Sequence, residues 1–173
     1  MALLTVHTFP DPVLKQKALP VDEFDEKLSE LAENMLETMY AGDGLGLAAI
    51  QIGVPKRVMV VDVHRLDDPP APIKMINPVI TWFSPERIVY QEGCLSFPEY
   101  FADIERAAEV RVSYLDENGE AREVQASETL AVCLQHEVDH LDGKLFVDHL
   151  SLVKRNIILR KMAKARRAKV IDA

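Results

Sequence analysis

The stretch Gln135-His136-Glu137-Val138-Asp139-His140 constrains this chain more than any other. It reads H-E-x-x-H, and on a helix residues four apart stand one above the other on a single face. Two imidazoles so placed can grip one metal ion, and the glutamate beside the first can work on a water held there. The same pattern also occurs on ordinary amphipathic helices, so its surroundings decide what it is. Here Ser127 reads as an N-cap, and Glu128 suits the positive end of the helix dipole. Leu130, Leu134, Val138 and Leu141 form one apolar stripe, and Cys133, His136, Glu137 and His140 form a second beside it. Gly143 is a natural C-terminal stop. The pattern predicts a mostly buried helix with a chemical flank next to its packing flank.

A metal at this helix needs a third ligand. The longer pattern H-E-x-x-H-x-x-G-x-x-H runs correctly from His136 to Gly143 but ends on Phe146, and His149 comes three residues too late. A distant downstream glutamate is also missing, because Asp172 is the only acid after residue 150. Cys133 is on the right face but roughly 8 Å below the two histidines at 1.5 Å per residue, too far for a Zn–S bond of ~2.3 Å. Cys94, within Glu92-Gly93-Cys94-Leu95-Ser96, is the best remaining candidate.

A chain of 173 residues with 48% hydrophobic content suits one domain, residues 1–173, with a real core. Two cysteines do not make a disulfide framework. The start, Met1-Ala2-Leu3-Leu4-Thr5-Val6, lacks the basic region of a signal peptide, and no apolar run is long enough to cross a bilayer. A cytoplasmic protein with no membrane partner and no DNA partner is expected. Charge is unevenly placed. Residues 151–173 carry eight Lys/Arg against Asp172 alone, a charge of +7, which leaves −15 on the rest of a chain of net charge −8. Such a tail suits an anionic partner such as RNA, as well as a merely solvated helix.

Along the chain, Val13 to Ala18 reads as a short helix and Glu23 to Tyr40 as a longer amphipathic one. Gly44-Leu45-Gly46-Leu47-Ala48-Ala49-Ile50-Gln51 satisfies the dinucleotide pattern G-x-G-x-x-A, but a helix precedes it and Gly53 and Pro55 leave no room for a helix after it. It reads instead as a loop of small residues where another backbone can come close, ending on an amide able to donate to an oxyanion. Strands are expected at Arg57 to Val63, Met75 to Trp82 and Arg87 to Gln91, with Ser84-Pro85 as the turn between the last two. Val110 to Leu115 and Ala121 to Gln125 form a hairpin around Asp116-Glu117-Asn118-Gly119. After Ser151, Leu152, Ile157, Ile158, Leu159 and Met162 supply the apolar side of a final helix. The expected class is α+β, with antiparallel β-sheets packed around the H-E-x-x-H helix, N-terminal helices before them and a C-terminal helix after.

The three segments GLGLAAIQ at 44–51, EGCLS at 92–96 and QHEVDH at 135–140, in that order, resemble the motif set of the peptide deformylases. The likeness runs from His7-Thr8-Phe9-Pro10-Asp11-Pro12 to Leu150, and the basic tail is similar to that of the bacterial branch with a helical C-terminus. The resemblance implies a metal-dependent hydrolase that removes the N-formyl group from nascent peptides beginning with formyl-methionine and releases formate. It makes Cys94, His136 and His140 the ligands of one divalent metal ion per chain, natively Fe²⁺, with Zn²⁺ or another divalent ion as the substitute. Ligand softness alone favours Zn²⁺, so iron comes only from the resemblance. By the same resemblance metal-bound water attacks the formyl carbon, Glu137 is the general acid/base, and Gln51 and the Leu95 N–H hold the oxyanion. Leu45, Gly46 and Gly93 would pair with the peptide backbone, and Tyr90, Glu92, Thr129, Val132 and Cys133 would surround the methionine side chain.

One departure stands out. Ser127-Glu128-Thr129 lies where many of the family carry Asp-Gly and a large aliphatic residue. Thr129 makes one side of the pocket more polar, which opens the alternative of an altered N-acyl preference. The basic tail adds a second expectation, docking on the ribosome near its exit tunnel. A metallopeptidase cutting internal amides is the rival class, and it lacks a third ligand after His140.

Overall fold

The computed structural model describes residues 2–172, without the side chains of residues 169–172. Helix α1 (Glu26–Ala41) is followed by strands β1 (Gly46–Ala48), β2 (Val58–Val61), β3 (Ile73–Phe83), β4 (Arg87–Cys94), β5 (Phe97–Ala107), β6 (Glu109–Leu115) and β7 (Ala121–Ser127), then by helices α2 (Glu128–Leu141) and α3 (Leu152–Asp172). The class is α+β, and all strand pairing is antiparallel.

Strand β2 shows why a sheet lies between two helices. All four of its residues, Val58-Met59-Val60-Val61, are buried, as expected of a strand covered on both faces. Successive side chains point to opposite faces. Val58 and Val60 join Leu28, Met35, Leu36 and Met39 of α1, while Met59 and Val61 join Ala131, Leu134, Val138 and Leu141 of α2. The sheet runs β1-β2-β3-β6-β7, which leaves β1 as an edge strand.

Strands β4 and β5 form a separate two-stranded sheet inserted between β3 and β6. The crossover is pinned at Ser84, whose N–H donates to Glu109 O at 2.9 Å and whose Oγ accepts from Glu109 N at 2.9 Å. The expected turn at Ser84-Pro85 therefore does not close a hairpin. β3 pairs with β6, Phe83 opposite Val110, and β4 pairs with β5. Strand β5 carries no strong alternation and is absent from the sequence reading.

Other boundaries moved. α1 starts at Glu26 because the Asp25 carboxylate caps Leu28 N–H at 3.0 Å. The first short helix is a 3-10 turn, Pro12–Lys15. The glycine-rich loop contains a strand, β1, and a 3-10 turn, Ala49–Ile52. Ser127 sits at the N-cap of α2, but its side chain makes no capping bond. Strand β7 passes into α2 without a loop through Glu128, whose φ of 53° is left-handed. Gly143 ends α2 as expected, with its N–H on His140 O and the Lys144 N–H on Asp139 O. On α3, Ile158, Leu159 and Met162 pack with Leu14, Phe97, Leu145 and Phe146, whereas Leu152, Val153 and Ile157 are exposed. The side chains of Lys169 and Asp172 lie outside the described residues, as do Met1 and Ala173 at the ends of the expected 1–173 domain. Among the described residues, no helix is long and apolar enough to cross a membrane.

Candidate metal centre

Helix α2 is buried continuously from Ala131 to Val138, and again at His140 and Leu141. Its chemical flank looks out between the edge of β1 and the end of β4. On β4, Tyr90 and Glu92 share one face by the two-residue period, and after the irregular pairing between Gly93 and Cys94 the end of the strand brings Cys94 beside the histidines.

The ligand atoms of Cys94, His136 and His140 lie within 4.8 Å of one another. Cys94 Sγ stands 3.3 Å from His140 Nε2. Bonds of ~2.3 Å to sulfur and ~2.1 Å to nitrogen in a tetrahedral site place those two atoms roughly 3.6 Å apart, so the donor set fits one divalent ion. His136 Nδ1 donates to Glu92 Oε1 at 2.8 Å, which turns Nε2 toward the centre. Cys133 stays out of this group, and its Sγ donates to Leu45 O at 3.4 Å.

Glu92 does not stand alone. Arg106 Nε donates to Glu92 Oε2 at 2.6 Å and Nη2 to Oε1 at 2.9 Å, while Nη1 reaches Asp139 Oδ2 at 2.9 Å. His149 Nε2 donates to the same Asp139 oxygen at 2.8 Å. Burial pushes the Glu92 carboxyl up, but Arg106 and His136 outweigh it and hold it below its ordinary 4.5. Glu92 lines the cleft together with Tyr90, Thr129, Val132 and Cys133, and its carboxylate is bound by Arg106 and His136.

Glu137 is buried, and its Oε2, with His140 Nδ1, is a buried polar atom without a hydrogen-bond partner among the described residues. Burial is the main cause that pushes its pKa up to about 7, with Glu92 and Asp139 adding to it against His136 and Arg106. A carboxyl poised there can both take and give a proton near neutral pH. Gly46 makes room for it: a Cβ at that position would lie 2.6 Å from Glu137 Oε1.

Across the cleft, Gln51 is buried, and each end of its amide is used. Oε1 accepts from Ala48 N at 2.9 Å. Nε2 donates to Ser96 Oγ at 3.1 Å and lies 3.6 Å from Cys94 Sγ. Leu95 follows Cys94 in the tight turn between β4 and β5. A cleft of about 540 Å³ opens over these groups, lined by Leu45, Gly46, Gln51, Tyr90, Glu92, Gly93, Cys94, Leu95, Thr129, Val132, Cys133, His136 and Glu137 among others. The cleft is thus lined by every site residue expected from sequence except His140, which joins Cys94 and His136 at the centre without lining the cleft.

Sequence reasoning missed Arg106, Asp139 and His149. Asp139 was visible inside the motif, but Arg106 had no signal while its strand was unassigned.

A family model described as polypeptide deformylase matches residues 3–156. A peptide deformylase of Bartonella tribocorum is 49% identical over 171 residues, covering 98% of this chain and 96% of that protein. One of Rhizobium meliloti is 49% identical over 174 residues, covering 99% and 100%. The crystal structure of the Ehrlichia chaffeensis peptide deformylase in complex with actinonin superposes with a TM-score of 0.92 at 41% identity, over 96% of this chain and 99% of that one.

Proposed function

The chain belongs to the polypeptide deformylase family, and on that premise we propose a reaction, a metal and a set of residue roles for its site. It is a hydrolase of protein biosynthesis and N-terminal processing. In our reading residues 1–173 act as one cytoplasmic catalytic domain that hydrolyses the formyl amide of N-formylmethionyl nascent peptides and releases formate. The observation that carries this is the convergence of Cys94, His136 and His140 ligand atoms beside a buried Glu137 oxygen that has no hydrogen-bond partner among the described residues.

Cys94, His136 and His140 hold one divalent ion, Fe²⁺ natively with Zn²⁺ as the substitute, which when bound polarises the formyl oxygen and makes water more acidic. Glu137 takes a proton from the attacking water and returns it to the leaving amine, a task suited to a pKa raised to about 7. Gln51 Nε2 and the Leu95 N–H donate to the oxygen that gains charge as the carbonyl is attacked. Glu92 positions His136.

An extended peptide adds as a strand between the free edge of β1, at Leu45 and Gly46, and Gly93 of β4. Tyr90, Thr129, Val132 and Cys133 enclose the methionine side chain. The basic C-terminal helix α3, with Lys154, Arg160, Lys161, Lys164, Arg166 and Arg167 exposed, docks on the ribosome near the exit tunnel. Deleting residues 152–169 is expected to abolish ribosome co-sedimentation at low salt, and unchanged co-sedimentation would remove that part of the reading.

The reaction is tested by formate release from a short formyl-methionyl peptide, with protein purified without oxygen and metal counted in the same sample. Release with about one ion per chain is expected. No release from fully metallated protein would contradict the reading and redirect the search to other N-acyl groups.

A further inference from the structure

Gln51 and Leu95 belong to different layers of the molecule. Gln51 follows the edge strand β1, and Leu95-Ser96 is the turn of the β4–β5 sheet. One short stretch near the N-terminus ties the two together. The His7 N–H donates to Gln51 O at 2.7 Å, and the Phe9 N–H donates to Ser96 O at 3.0 Å. Two residues of chain span at most about 7 Å, so this strap limits how far the two carbonyls can separate. Their side chains meet directly, Gln51 Nε2 on Ser96 Oγ at 3.1 Å.

The strap is itself braced. His7 Nδ1 donates to Asp11 Oδ2 at 2.7 Å, the Asp11 N–H donates to Thr8 O at 3.0 Å, and Asp11 Oδ1 accepts from Val13 N at 3.1 Å. Val13 and the buried Leu14 belong to the 3-10 turn that anchors the strap in the core. The Phe9 ring stacks on Phe97 at 5.5 Å, Phe97 meets Phe146 edge-on at 5.1 Å, and Phe146 stacks on His136 at 5.9 Å. None of His7, Phe9 or Asp11 lines the cleft.

We propose that residues 7–11 are a positioning clamp that fixes the Gln51 amide against the Leu95 N–H, so that both donors meet one oxygen. The clamp rests on the reading of those two groups as oxyanion donors. His7, Phe9 and Asp11 are positioning residues, acting through Gln51 and the Leu95-Ser96 turn. Backbone donors set the spacing, and the His7–Asp11 bond keeps the strap in the shape that presents them.

The test is a double-mutant cycle between His7→Ala and Gln51→Ala, with kcat, KM and metal content read for each protein. His7→Ala is expected to lower kcat about tenfold at unchanged KM and metal content. That loss should shrink to less than about twofold in the Gln51→Ala background, because the group it positions is gone. His7→Asn, whose amide puts a donor where Nδ1 stands, should recover most of the rate. An unchanged kcat in His7→Ala, or an equal loss in both backgrounds, overturns the clamp and leaves the oxyanion reading standing. If Gln51→Ala itself costs nothing, the oxyanion reading falls and the clamp with it. Phe9→Leu, carried through the same cycle, decides the matter should His7→Ala fail to fold.

Discussion

Along α2, His136 is held by a chain of charge that runs through Glu92 and Arg106 to Asp139 and His149. On the facing wall, Gln51 is held by Ala48 N–H, Ser96 Oγ and a backbone strap, with the Cys94 sulfur at 3.6 Å and no carboxylate or guanidinium on its amide. The two walls solve different problems. A ligand histidine must present one ring nitrogen in a fixed tautomer, and a buried carboxylate enforces that. In the proposed role, an oxyanion donor must keep an N–H aimed at a point where charge appears only during reaction, and the bonds to Ala48 N–H and Ser96 Oγ fix the direction of the Gln51 amide. Burial does most to raise the Glu137 pKa, and the charged wall adjusts it, His136 and Arg106 downward and Glu92 and Asp139 upward.

The comparison breaks most severely at Arg106. Arg106→Met leaves Glu92 buried without its main partner, and a loss of about 3–5 kcal/mol is expected, read as a lower urea midpoint. Combining it with Glu92→Leu should recover most of that stability while weakening metal affinity about 10–100-fold, since His136 then lacks its acceptor. The sign with pH follows from Glu92. Its carboxyl is held below 4.5 in the folded state, so its stabilisation is complete above that value and is lost as pH falls through the depressed one. Stability measured below pH 4.5 should therefore fall less steeply in the double variant than in the parent.

The facing wall breaks through shape. In Gly46→Ala the new methyl would sit 2.6 Å from Glu137 Oε1 and 2.9 Å from Cys133 Sγ, and the buried carboxylate must move. A displacement of that kind is expected to cost on the order of 10² in kcat, with metal content and urea midpoint close to the parent's.

The smallest effect belongs to neither wall. Glu128 holds a left-handed conformation at φ 53°, the position where the resemblance puts glycine. Glu128→Gly removes roughly 1–2 kcal/mol of strain against about 0.5–1 kcal/mol of glycine entropy. A net gain of up to about 1.5 kcal/mol is expected, measured by urea titration, with formate release unchanged.

Much of the site was legible because its chemistry sits on periodic elements. His136 and His140 lie one turn apart, and the α2 stripes follow the helical period. Cys133 was excluded by rise per residue alone, and the structure turns its sulfur to Leu45 O. Cys94 came by elimination. The rest was hidden for physical reasons. β1 is only three residues long and sits within a glycine-rich stretch, so it has no run of alternation to read. The β4–β5 sheet is only partly covered, and residues such as Val89 and Phe101 are exposed, so its pattern does not announce a buried face. With β5 unread, Arg106 had no location, and the ion pair it forms with Glu92 was not foreseen. Ser127 was a fair N-cap by type, but the left-handed Glu128 after it turns the chain and its side chain caps nothing.

The most direct test of the account is Glu137→Ala, purified without oxygen, with metal content and formate release measured on the same sample. The account predicts that the variant keeps about one ion per chain, because Cys94, His136 and His140 are intact. It also predicts that release falls by on the order of 10²–10⁴ or more, as expected when a general acid/base is removed. Release near the parent's rate would contradict the role of Glu137, and a fall explained by lost metal would move that residue from the chemistry to the support of the site.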